Sequence, residues 1–241
     1  MHDLSAFSLQ DMARCGAALR KLQVNCRSME DAAQNIVRHL FMNFVDETGT
    51  KQCALVRFFK THPYADLNSA LQGFSNSLLA GQPPPSSLRC LTLLATAGVQ
   101  PEWNSRQTSR GHQSIPLISK QMLDGAPMIS RLFQQLDVDV ETVLGERQDL
   151  ILDAAQKTFN VFHVQEALGS PFIPAQREFV VPFGIQSVLG FGGVLPSGNL
   201  FAVILFTTVP VTRETAEMFK TLALSVRLTI LPFEDTVFAC S

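Results

Sequence analysis

The closing third of this chain limits its fold more than any other part. Residues 184–206 form two apolar runs on either side of Pro196-Ser197-Gly198-Asn199, four residues that supply turn chemistry. The pattern predicts an antiparallel hairpin. Strand formers fill 201–206, and an amphipathic helix follows. Its expected N-cap is Thr212, Glu214 falls in its first turn, and Ala216, Phe219, Leu222, Ala223, Val226 and Ile230 share one face. Pro232 is expected to end it. A hairpin that feeds such a helix calls for a sheet with a helix packed on one side. Gly190-Phe191-Gly192-Gly193 lies inside the strand pattern and lacks the Lys-Ser/Thr ending of a phosphate loop. Its glycines therefore read as a bulge or as a close approach of backbone or ligand.

With 46% hydrophobic and 17% charged residues, the 241-residue chain has material for a sizeable core. The expected organisation is an N-terminal helix at 1–28, one domain at 29–231 and a short tail at 232–241. Eighteen Phe against one Tyr and one Trp point to a Phe-packed interior. A net charge of −2 gives no reason to expect nucleic acid or an anionic membrane as partner. No stretch has the length of a membrane span, and the N-terminus lacks the basic start of a signal peptide. Five cysteines, odd in number and without a Cys-x-x-Cys pair, suit free thiols in a reducing, cytoplasmic setting.

Along the chain, 4–27 reads as a helix. Met12, Cys15, Leu19, Leu22, Cys26 and Met29 are spaced three and four apart, a narrow seam suited to pairing within the domain or across a homodimer. Ser28 with Asp31 marks a fresh helix start. The next helix presents Ala33, Ile36, Val37, Leu40, Phe41 and Phe44 on one face. Residues 52–60 form a strand apolar on both faces, hence central and covered on both sides. Further expectations are a helix at 67–79, strands at 88–95 and 159–164, mixed helix and loop at 118–140, and a helix at 149–156.

Phe162-His163-Val164-Gln165-Glu166-Ala167 is similar to the strand and Val-x-Asp-Ala segment of GAF domains. Gly184-Ile185-Gln186-Ser187 resembles their Gly-Ile-Arg-Ser entry to the next strand, and Leu195-Pro196, the Ser197-Gly198 turn, strand 201–206 and the helix from Thr212 follow in family order. The chain departs from the pattern at Gln186, where Arg is common, and at Glu166, where Asp is usual. The resemblance implies an α/β (α+β) GAF-like fold: a central antiparallel sheet of five to six strands, with the N- and C-terminal helices packed on one face. It further implies a cytoplasmic sensory module of bacterial signalling. Such a module binds an unidentified small molecule, forms a homodimer and passes its state to a histidine kinase or other output protein. Gln156-Lys157, Phe162 and Gln165-Glu166 echo the cyclic-nucleotide subset of the family only loosely and precede the hairpin, so that ligand is not supported.

The chemistry-bearing loop is 103–112, which follows the second strand and holds Trp103, Arg106, Arg110 and His112. Its donors suit a carboxylate or small anion; the alternative is a solvated loop with Trp103 capping the core. Phe59, Phe162 and Phe191 complete the candidate ligand-binding set. No cofactor can be named. The five histidines show no zinc-binding spacing, and no Gly-x-Ser-x-Gly elbow is present. Cys53 and Cys90, expected on adjacent strands, are the only basis for a thiol-based methionine sulfoxide reductase. The reading is therefore a non-enzyme, with a ligand-free interaction domain as the alternative.

Overall fold

The computed structural model describes residues 1–79, 81–109, 111–118, 130, 134 and 160–239. The expected helix at 149–156, nearly all of the expected mixed region at 118–140, and Arg110 lie outside the described residues.

Among the described residues, six strands form one antiparallel sheet in the order β3-β2-β1-β6-β5-β4. They are β1 Cys53–Pro63, β2 Arg89–Gly98, β3 Ser114–Leu117, β4 Asn160–Val164, β5 Ser187–Val194 and β6 Leu200–Thr207. The doubly apolar β1 lies in the middle, where both faces are largely covered. The hairpin forms as read, with β5 and β6 joined through a turn at 195–199 that Gly198 enters at φ +78°.

Among the described residues, three long helices cover one face. Helix α1 (Leu9–Leu19) starts at Ser8 and α2 (Met29–Asn43) at Ser28, each with a reciprocal capping box. In α2, Ser28 Oγ accepts from the Asp31 amide while the Asp31 carboxylate accepts from the amides of Ser28 and Arg27. The closing helix, α4 (Arg213–Ile230), is capped by Thr212 as its sequence predicts. A further helix, α3 (Ser69–Leu78), packs beside β3 at the sheet edge.

One expectation shifts. The first helix ends at Leu19 rather than near 27, and turns lead to Asn25, held at φ +67°. Its seam packs in cis on α4. Leu19 is fully buried, Thr229 Oγ1 donates to the Leu19 carbonyl, and Arg20 Nη1 donates to Ser225 Oγ. At the other end the closing helix stops at Ile230, just before Pro232 as expected, and a short 3-10 segment, Leu231–Phe233, follows it.

The core divides at the sheet. On the helix side, Phe58, Phe191, Phe201, Val203 and Leu205 meet Phe44 of the α2 C-cap and Phe219 of α4. On the far side, Leu55, Phe59, Leu93, Phe162, Ile204 and Phe206 pack with Trp103 and with Phe179 and Phe183 from the connection between β4 and β5. A central antiparallel sheet with the terminal helices on one face is the GAF-like α+β architecture.

Candidate functional site

Cross-strand partners point to the same face of a sheet, so the registers give the far-side floor directly. One row reads Phe162, Gly190, Ile204, Arg57, Thr96. The next reads Asn160, Gly192, Ala202, Phe59, Leu93. Arg57 is the one charged residue between Cys53 and Phe59, and it stands on the central strand among apolar side chains.

The surroundings of Arg57 are unusual. Its Nη2 donates to Ser109 Oγ at 3.1 Å, and Nη1 lies 3.5 Å from His112 Nδ1. Among the described residues no carboxylate pairs with it. Its Nε is buried without a hydrogen-bond partner, and so is Thr96 Oγ1, on the residue directly across the strand pair. Burial pushes the guanidinium pKa down to about 10, which still leaves it charged at neutral pH. His112 has φ +61° and keeps a side open to solvent. Burial of its ring and, second, the Arg57 charge hold its imidazole below the ordinary value.

The loop that supplies Ser109 and His112 is tied to β2 at its root. Asn104 accepts from the Gly98 amide and donates back to the Gly98 carbonyl. Thr108 Oγ1 donates to the Glu102 carbonyl at 2.8 Å. A polar tip is thereby fixed over the sheet position that carries Arg57.

The residues singled out from the sequence separate into three groups. Phe59 and Phe162 are on the far-side floor, and His112 stands beside Arg57. Trp103 lies at the edge of that floor, its ring 4.6 Å from Phe183 and 5.6 Å from Phe179. Arg106 and Phe191 are elsewhere. Arg106 turns to α2, where it pairs with Glu30 and stacks 5.4 Å over Phe238. Phe191 faces the helices, 5.3 Å from Phe219, because its strand neighbour Gly190 takes the far-side position.

Arg57, Thr96 and Ser109 were missed. The lone charge inside an apolar strand was the available signal for Arg57; its neighbours follow only from register and loop closure. The pairing of Cys53 with Cys90 fails. Cys90 stands opposite His62, nine positions along β1 from Cys53, a separation of about 30 Å at the rise of a strand. Burial raises both thiols. A separate open groove of about 490 Å³ lies beyond the β4–β5 end, lined by Leu168, Val180, Val181, Ile185 and Pro210 among others; it contains none of the candidates. Among the described residues no His, Cys, Asp and Glu cluster could hold a metal ion, and no helix is long and apolar enough to cross a membrane.

No protein-family model matches the sequence, and neither does any curated protein sequence. Among solved structures, the bacteriophytochrome RpBphP3 from the photosynthetic bacterium R. palustris aligns over 95% of this chain and 39% of its own, at 10% identity and TM-score 0.43. The GAF domain of a phosphoenolpyruvate-protein phosphotransferase from Coxiella burnetii aligns over 91% of both chains, at 11% identity and TM-score 0.42. CepR2, an N-acylhomoserine lactone dependent LuxR family transcription factor from Burkholderia cenocepacia, aligns over 93% of this chain and 96% of its own, at 10% identity and TM-score 0.37. The chain thus spans well under half of the phytochrome's length. These likenesses are weak in sequence and in superposition.

Proposed function

We propose that this chain is a sensory or regulatory module of bacterial signalling that binds a small molecule over the far side of its sheet. Occupancy passes through α1 and α4 to an output protein such as a histidine kinase. The carrying observation is Arg57 Nε and Thr96 Oγ1: two buried polar atoms, on residues that face each other across the strand pair, neither with a hydrogen-bond partner, on a largely apolar face. Buried polar groups are nearly always satisfied, so a ligand that satisfies these two accounts for them.

The route to the helices is short. Gly190 and Phe191 are adjacent on β5 but face opposite ways, and Phe191 packs on Phe219 of α4. A ligand that binds one arrangement of the sheet better than another shifts the helices by that difference in affinity. Leu224 and Leu228, 43% and 45% exposed and one turn apart on α4, are the surface on which a homodimer would form.

Native mass spectrometry of the purified protein, followed by amide exchange with and without any co-purified small molecule, tests the reading. The expected result is a bound metabolite whose removal speeds exchange in α1 and α4. Exchange in both helices that ignores a saturating ligand would sink the relay. The Trp103, Phe179, Phe183 and Phe206 rings, packed at one end of the far side, favour a second reading as a ligand-free interaction domain. Dimerisation by light scattering with no thermal shift from any metabolite would select it.

A further inference from the structure

We propose that Arg57 anchors the carboxylate of a small monoanionic organic acid with an apolar body; this rests on the ligand-binding reading above. Three observations lead there. First, a guanidinium on the central strand, flanked by Leu55, Phe59 and Ile204, has no acidic partner among the described residues, and a buried cation is ordinarily paired. Second, its described partners are the Ser109 hydroxyl and the His112 ring, neither of which brings a negative charge.

Third, Arg57 Nε and Thr96 Oγ1 are unused, on residues that face each other across the strand pair, which offers a planar carboxylate an N–H and an O–H. One cation neutralises one negative charge, so a monoanion fits where a phosphate dianion leaves a charge uncompensated. Phe59, Phe162 and Ile204 on the same floor suit an aromatic or branched hydrocarbon body.

The test titrates benzoate, benzamide and inorganic phosphate into the full chain by calorimetry, while NMR follows the Arg57 Nε–H resonance. Benzoate is expected to bind about tenfold or more tightly than benzamide and to shift that resonance, with phosphate weaker than benzoate. Arg57→Met should erase the preference for benzoate over benzamide and raise the ligand-free melting temperature, because it removes an uncompensated cation. If the Met variant does not fold, Arg57→Lys replaces it, with weakened benzoate binding expected. Equal binding of benzoate and benzamide to the wild type overturns the carboxylate anchor and leaves the ligand-binding reading standing. Retained benzoate preference in Arg57→Met, or phosphate binding tighter than benzoate, also overturns it. Binding of none of the three, with no resonance shift, removes the anchor; helices indifferent to any co-purified metabolite would then remove the sensor reading separately.

Discussion

A Cβ built on Gly192 meets the carbonyl oxygen of Phe201 at 2.1 Å and the Cα of Ala202 at 3.0 Å. Both atoms belong to the backbone of the partner strand, so neither yields without opening the hairpin. Gly192→Ala is expected to cost about 3 kcal/mol or more, read as a fall in the urea midpoint. Gly98 is less confined. Its added methyl meets Trp103 Cε3 at 2.8 Å and the Ala54 carbonyl oxygen at 3.0 Å; the ring can shift and the carbonyl cannot. Gly98→Ala should cost about 1–3 kcal/mol. Gly73, exposed inside α3 with nothing within 4 Å of a Cβ, gives the opposite sign. There alanine should add about 0.5–1 kcal/mol through helix propensity and a less flexible unfolded chain. Three equal small effects would refute the packing account of these sites.

Helix starts and loop clasps act at the scale of elements. Ser28→Ala removes the hydroxyl that accepts from the Asp31 amide and is expected to cost about 1 kcal/mol, measured by chemical denaturation. Arg106 and Glu30 join the loop after β2 to the first turn of α2, and Glu30 Oε2 also accepts from the Ala239 amide. Their side chains are only 13% and 18% exposed, so losing one partner leaves the other poorly solvated. A double-mutant cycle with Arg106→Met and Glu30→Gln should return about 1 kcal/mol or more of coupling; a value near zero would make the clasp incidental. The caps, the hairpin and the central strand were legible because each is written in a local pattern: a polar residue three before an acidic one, a turn between apolar runs, a run apolar at every position. Face assignment was less legible. Phe191 and Gly190 are both plausible pocket walls until register fixes the phase of β5, and a slip of one residue exchanges them. Arg106 looked like a ligand donor because its partner, Glu30, is 76 residues away in the chain. Thr96 and Ser109 carry no signal in sequence, since their importance comes entirely from lying beside Arg57.

Across the whole molecule, the buried bases at the far end of β1 set how stability follows pH. Lys60, 1% exposed, donates to the Thr61 carbonyl and to His62 Nδ1, both at 3.2 Å. Burial pushes the lysine pKa down to about 8, with Glu234 and Asp66 opposing that shift and Arg89 adding to it. Burial, then the Lys60 charge, pushes His62 down to about 4. Both are bases whose folded pKa lies below the unfolded one, so the unfolded chain binds more protons inside each window and stability rises with pH there. For His62 the window runs from about 4 to 6.5, and acidification removes its contribution fully below about 4. For Lys60 the penalty of burying a cation is complete below about 8 and relieved by about 10.5. Above pH 9 the buried thiols act oppositely: Cys15, raised to about 12, keeps its proton in the folded state while the unfolded thiol loses it. A comparison with Lys60→Met separates the two effects. At pH 7 the variant is expected to be more stable than wild type by an amount on the order of 3 kcal/mol, narrowing toward zero between pH 8 and 10.5. The same substitution removes a cation that faces His62, so the imidazole pKa should climb back toward its ordinary value and the acid loss should become smaller. Urea unfolding of both proteins at pH 5, 7, 9 and 10 reads both effects. A stability difference that stays constant from pH 8 to 10 would mean that Lys60 keeps its proton in the folded protein throughout that range, and so is not buried as described.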